Sequence, residues 1–405
     1  MTETPSVAPE SAPKLAPARS WGREVSLALL KRSGARIGLA WIGLLTLVAV
    51  FAPFIASSHP LYAVIDGEAR FPVLTHLDAA DVTWLAGFVL ALLAWRLRGP
   101  AFARLFGWVL AVAAAGLIAW LTVAPPPLVI YEQYREWEAQ ERIDSVLRAP
   151  IPYSAKDYLR DYGDTGIEAP LAALERGRVH WLGTEDNGAD VAARMVHAAR
   201  IALGIGFIAT GIALVIGTII GGLMGYFSGV IDMIGMRLVE IFEAIPTLFL
   251  LLTFVAFFGR SIYMMMVIIG ITSWSGYARY VRAEFLRLRE QDFVQAAVAS
   301  GLPLQSILFR HMLPNGVAPL LVAASFGVAS AILAEATLSF LGLGLVDDPS
   351  WGQLLNQAVQ ASNFNWWLAV FPGGAIFLTV FAYNLVGEAL RDAVDPHTQR
   401  SGGRA

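Results

Sequence analysis

The chain has 405 residues, of which 56% are hydrophobic and 15% charged, with a formal net charge of -3 and no cysteine. Soluble domains average about 45–50% apolar and about 25% charged residues, so this composition excludes an ordinary soluble domain and places the chain in a bilayer. The near-balanced charge leaves no footprint for nucleic acid. Without cysteine there are no disulfides, thiolate metal sites or cysteine nucleophile.

Residues 1–36 read as a cytoplasmic tail. The first 20 are rich in Pro, Ala and Ser, a composition that stays disordered, and Lys14, Arg19, Arg23, Lys31, Arg32 and Arg36 then precede the first apolar run. The positive-inside rule puts that end in the cytoplasm. Residues 37–56 form the first expected span, longer than the roughly 7–15 residues of a signal-peptide core and therefore an uncleaved anchor. Residues 57–82, with Asp66, Glu68, Asp78 and Asp81 against Arg70, read as an extracytoplasmic loop. Residues 83–123 read as an inserted hairpin. Trp84–Trp95 is short for a 30 Å core, but Arg96, Arg98 and Arg104 mark a cytoplasmic tip before the full-length run from Leu105; a re-entrant loop is the alternative.

Residues 124–200 are polar, carry two proline clusters and read as an extracytoplasmic subdomain. Residues 201–390 hold the remaining spans, expected at Ile201–Phe227, Met233–Phe258, Tyr263–Trp274, Gly316–Leu343 and Trp367–Leu385. The cytoplasmic loop 279–315 interrupts them, and 391–405 is a second cytoplasmic tail. Lipid offers no partners for backbone amides, so the fold class is an all-α polytopic membrane protein.

No Gly-Lys-Ser/Thr phosphate loop, His-Glu-x-x-His or Gly-x-Ser-x-Gly is present, so the chain reads as no enzyme and holds no cofactor or metal of its own. The informative segment is cytoplasmic. Tyr280–Asp292 and Val294–Ser300 have helical composition, Gly301 permits a left-handed stop, Leu302-Pro303 starts a second helix, and Leu313-Pro314 is expected to end it at the membrane. The result is a helix-turn-helix whose Ala296, Ala297 and Gly301 let another surface approach closely.

Gln295, Ala296, Ala297, Gly301, Leu313 and Pro314 resemble the EAA loop of ABC importer permeases: Glu-Ala-Ala, three residues, Gly, nine residues, Ile, one residue, Leu-Pro. Gln295 replaces the acid and His311 the Ile. The run from His180 to Val191 with Arg194 and Arg200, the run Glu335–Gly344, Pro349–Gly352 and Asp392–Pro396 are similar to C-type dipeptide and oligopeptide permeases. Asp66–Pro72, Ala149–Pro152 and Val281–Arg287 look like the Yej-type branch, which imports peptides including microcin C. The hairpin departs from that branch.

The resemblance implies a type I ABC importer permease fold with six family spans plus the inserted hairpin. It also implies ATPase coupling through Gln295, Ala296, Ala297, Gly301, Leu313 and Pro314. The implied partners are a second homologous permease, two ATPase subunits binding ATP and Mg, a periplasmic solute-binding protein and a peptide, in the bacterial inner membrane. Glu335, an acid within an apolar span, reads as a pathway residue or as one satisfied by Thr337 or Ser339. Asp186, Asp190 and Arg194 read as delivery-protein contacts or as caps of the next helix. Gly217, Gly221 and Gly225 read as a packing face. A proton-coupled secondary transporter or a non-transporting scaffold are the other classes; within importers, nickel chelates or glutathione are alternative cargo.

Overall fold

The computed structural model describes residues 21–97, 99, 101–124, 131–158, 167–172, 179–344, 348–361 and 365–394. Residues 1–20, expected to be disordered, lie outside them.

Helix α1 (Trp21–Lys31) falls within the basic part of the expected tail, after its first 20 residues. It meets α2 (Ser33–Val50), the first span, which begins four residues earlier than expected and stops at Phe51 before the short α3 (Ala52–Ile55). Strands β1 (Tyr62–Ile65) and β2 (Glu68–Arg70) form a hairpin around Asp66-Gly67, both at positive φ, and α4 (Pro72–Thr75) follows. The inserted hairpin is α5 (Ala79–Arg96) and α6 (Ala101–Thr122). Its first arm has 18 residues, or roughly 27 Å at 1.5 Å per residue, because a reciprocal Asp78–Asp81 capping box starts the helix in polar sequence that hydropathy alone passes over. Trp108 closes the hairpin by donating to the Gly87 carbonyl at 2.9 Å.

Helix α7 (Gln133–Ala139) and strand β3 (Ile143–Leu147) complete the outer unit, with sheet order β2-β1-β3, both pairs antiparallel. The expected loops 57–82 and 124–200 therefore form one subdomain, and it contains strands. Helix α8 (Val191–Phe227) takes residues 191–200 from that loop, so Arg194 and Arg200 are helical.

The turn Ser228-Gly229 is left-handed and leads to α9 (Gly229–Ala244) and α10 (Thr247–Phe258). These are not the single straight span expected over 233–258: they bend by 82° at Ile245-Pro246, where proline cannot supply the helical N–H. Helix α11 (Ile262–Thr272) is short, and α12 (Trp274–Arg289) carries it on toward the charged loop. Then come α13 (Asp292–Ala299), α14 (Leu304–Ser306), a π-helical stretch Ile307–Met312, and α15 (Leu313–Leu338). Helix α16 (Trp351–Gln360) lies within the expected outer loop, and α17 (Trp366–Val394) is the last span. Among the described residues six helices are long and apolar enough to cross a membrane, and a seventh span results if the bent pair is counted as one.

The glycine periodicity of α8 has a direct geometric meaning. A Cβ at Gly217 would lie 2.5 Å from Tyr277 Cβ, at Gly221 2.3 Å from the Ala278 carbonyl oxygen, and at Gly225 2.6 Å from Phe285 Cβ. Only hydrogen fits at these three positions, so α8 and α12 pack backbone against backbone and form a stiff pair.

Candidate functional site: the turn after α13

The sequence-predicted coupling residues meet around one turn. Helix α13 ends at Ser300, and Gly301 adopts φ +67°. Its N–H donates to Val298 O at 2.9 Å, and the Leu302 N–H to Ala297 O at 3.2 Å. This pair of bonds is a Schellman cap, which satisfies two carbonyls the helix end would otherwise leave open. Glycine is favoured at Gly301 because a left-handed backbone costs an ordinary residue roughly 1–2 kcal/mol. Space around it is open.

Gln295 spans the opposite end of α13, its Nε2 donating to Arg289 O at 2.8 Å. A neutral amide thus ties α13 to the end of α12, and Arg289 Nη1 binds Tyr226 O at 3.1 Å, adding the end of α8. Ala296 is exposed and Ala297 buried. Beneath Ala297, Val294 packs with Val281, Phe285 and Leu288 of α12 and with Ile307, Met312 and Leu320. One small core therefore fastens the turn to α12 and α15.

Leu313 and Pro314 depart from expectation. They do not end a helix: the π-helical stretch Ile307–Met312 runs directly into α15, and Leu313 and Pro314 lie at the junction. Helical structure runs from Leu304 through the π-helical stretch into α15, so the segment just after the turn leads directly into a membrane helix.

Around the turn Phe293, Val298, Leu302, Leu304 and Phe309 are exposed, Phe309 by 60%. Sequence reasoning missed this ring, because apolar residues at helical spacing read equally well as core. Nothing in the composition says which of them faces outward.

The residues expected to meet a delivery protein divide. Asp186 is exposed. Asp190 and Arg194 are 0% and 1% exposed within the chain, and of the two expectations Asp190 meets the helix cap. Asp190 caps α8 by accepting from the Ala193 N–H and also holds His180 Nδ1 at 2.8 Å. Arg194 lies 3.1 Å from Glu185 and donates to Ala155 O and to Gln353 of α16. Burial raises the Glu185 carboxyl above the usual range, opposed by the Arg194 charge.

Glu335 is buried and accepts from Ser339 Oγ at 2.6 Å. Gly352 packs against this turn so closely that a Cβ would stand 2.3 Å from Ala336 O. At the start of α17 Trp366 is half exposed, whereas Trp367 is buried and donates to Thr184 O.

Between α12, α15 and α17 opens a cavity of about 840 Å³ lined by Tyr277, Tyr280, Phe326, Glu284, Arg287 and Arg391 among others. Glu335 does not line it. No cluster of three or more His, Cys, Asp or Glu able to hold a metal occurs among the described residues.

Residues 217–400 match the family model for binding-protein-dependent transport system inner membrane components, and residues 20–71 match the N-terminal TM domain of oligopeptide transport permease C. The dipeptide transport system permease protein DppC of Alkalihalophilus pseudofirmus is 40% identical over 218 residues, 54% of this chain and 72% of that protein. The chain belongs to this permease family, in its dipeptide and oligopeptide C branch. The oligopeptide permease OppC of Haemophilus influenzae is 38% identical, over 58% of this chain and 76% of its own length. The glutathione transport system permease GsiD of Pectobacterium atrosepticum is also 38% identical, over 61% and 79%.

Among solved structures, a chain of the inward-facing MetNI methionine ABC transporter aligns with TM-score 0.41 and 19% identity, over 50% of this chain and 96% of that one. The fold class is that of the family, a type I ABC importer permease, with the outer strands added. The two family models leave residues 72–216 unmatched, a stretch that contains the α5–α6 hairpin.

Proposed function

We propose that this permease forms half of a peptide import pathway in the bacterial inner membrane and is driven by ATPase subunits that dock on the α13 turn. The observation that carries the reading is the Gly301 cap, surrounded by exposed apolar side chains and fastened by one core to α12 and α15. A ring of exposed apolar groups around a close-approach turn suits a cleft on another protein.

In this reading both termini are cytoplasmic and ATP with its Mg is held by two ATPase subunits. A second, homologous permease completes the pathway. Closure of the ATPases displaces the turn; α15 moves with it as a continuous rod, and α12 carries α8 through the Gly217, Gly221 and Gly225 seam. The 840 Å³ cavity beside α12 and α15 is where the pathway wall and the second permease meet. A periplasmic solute-binding protein delivers cargo to the outer face, where Asp186 is exposed. Peptide cargo is supported by the names of the relatives, and glutathione is itself a peptide.

The reading is tested by purifying the tagged chain from its native membrane and identifying what accompanies it. ATPase subunits and a second permease are expected, with peptide-stimulated ATP hydrolysis. A folded chain that reproducibly purifies alone contradicts it.

A further inference from the structure

Helix α1 is amphipathic and has two apolar sides. Val25 is buried and Ala28 and Leu29 are half-buried, facing α17, whereas Leu27 and Leu30 on the far side are 41% and 51% exposed. No described residue of this chain covers that outer side. The end of α1 is held where Arg32, the residue after it, pairs with Asp392 near the end of α17, and α2 beyond packs on α17 so closely that a Cβ at Gly38 would meet Ala382 O at 2.7 Å.

The helix therefore stays close against the start of α2, whose Ile37, Leu44 and Leu47 are exposed as expected of a lipid-facing span. The exposed side of α1 continues that surface at the level where the span enters the bilayer. Charge points the same way. Glu24 is the only acid from residue 21 to 36, against Arg23, Lys31, Arg32 and Arg36. Lys31 and Arg36 are exposed, and Glu388 shares the corner with Lys31. Apolar exposure flanked by excess positive charge suits a surface of acyl chains topped by anionic headgroups.

We infer that α1 is an interfacial helix that docks on the leaflet where α2 enters and recruits anionic phospholipid to the base of α2 and α17. Leu27 and Leu30 enter the boundary between headgroups and chains, and Lys31 and Arg36 hold the phosphates. This rests on α2 being a span and not on the identity of the cargo.

The cysteine-free chain makes the test simple. The full-length Leu27→Cys protein, labelled with an environment-sensitive fluorophore, is placed in vesicles containing spin-labelled phosphatidylglycerol or spin-labelled phosphatidylcholine. Quenching by both is expected, and more strongly by phosphatidylglycerol. Lys31→Gln with Arg36→Gln should bring the ratio toward one, by up to about fivefold for each charge removed. No quenching by either lipid would show that α1 leaves the membrane or is covered by protein, and would overturn the inference. Equal quenching by both would overturn its anionic preference. Peptide uptake enters neither readout, so failure here is distinct from failure of the importer reading.

Discussion

The outer subdomain and the cytoplasmic turn solve opposite problems with opposite chemistry. Outside, charge is buried and paired: Glu185 with Arg194, Arg200 with Asp81 of the inserted hairpin and with the Ala49 and Val50 carbonyls, and Asp157 with Ser58 and Arg135. The Arg200 contacts and the Ser58–Asp157 bond join segments about a hundred or more residues apart in the chain. At the cytoplasmic turn no buried charge is found among the described residues; a small apolar core lies below and apolar side chains stand free above. Buried pairs fix one arrangement, since losing either partner leaves a desolvated charge. An exposed apolar ring fixes nothing until a second surface covers it. The strand-bearing subdomain is stapled by charge, and the turn after α13 leaves its apolar side chains exposed.

That contrast can be broken from the outside first. Arg194→Ala should cost about 3–5 kcal/mol by stranding Glu185, lowering the unfolding temperature of the purified protein. Arg194→Met combined with Glu185→Leu should restore most of it; if the double variant is as unstable as the single, the pair is not what staples α8 to the outer unit. Gly301→Asp should do the reverse, leaving stability nearly unchanged because Asp tolerates the left-handed region better than most residues. It should also reduce uptake by about thirtyfold, as expected for loss of roughly 2 kcal/mol of docking energy. Equal loss of stability and uptake would remove the distinction between the two regions.

A third variant tests the link between them. Gly221→Ala forces a methyl group toward Ala278 O and should cost about 1–3 kcal/mol by overpacking. ATP hydrolysis should then persist while uptake falls, because the turn still docks but α12 no longer carries α8. Uptake in proportion to hydrolysis would mean the seam transmits nothing.

The smallest expected effect is on pH. Burial first, then the neighbouring charges of His76 and Arg135, lower His59 from 6.5 to about 3. The folded subdomain thus keeps this imidazole neutral while the unfolded chain protonates it. Stability is complete above about 6.5 and falls as the pH drops toward 3, by about 1–2 kcal/mol at pH 5. Amide exchange across residues 57–76, corrected for intrinsic rates, should quicken between pH 7 and 5 in the native chain. In His59→Phe it should not.

The sequence made legible whatever depends on spacing along one helix. The glycine face of α8, the Schellman glycine and the run of apolar spans are local patterns, and each recurs in the structure. It concealed what depends on three dimensions. Asp190 and Arg194 read as delivery-protein contacts or helix caps, but their partners Ala155, His180 and Glu185, and Gln353 come from three separate segments, and only folding reveals that these charges face inward. Strand β3 pairs with β1 across about 80 residues, so no local signal joins them. The break in α9–α10 was marked by Pro246 but masked by the apolar residues on both sides. Leu313-Pro314 looked like a stop because proline ends helices more often than it begins them in an unbroken rod.

One measurement bears most directly on the account. With Val298→Cys as the sole cysteine, a short bifunctional crosslinker applied to the assembled transporter should join this chain to an ATPase subunit. Ser26→Cys, on α1, should give no such product. Crosslinking from Val298 to the ATPase, diminished by Gly301→Asp, is the predicted result. An active, intact complex in which position 298 never reaches the ATPase would contradict the claim that this turn is the coupling site.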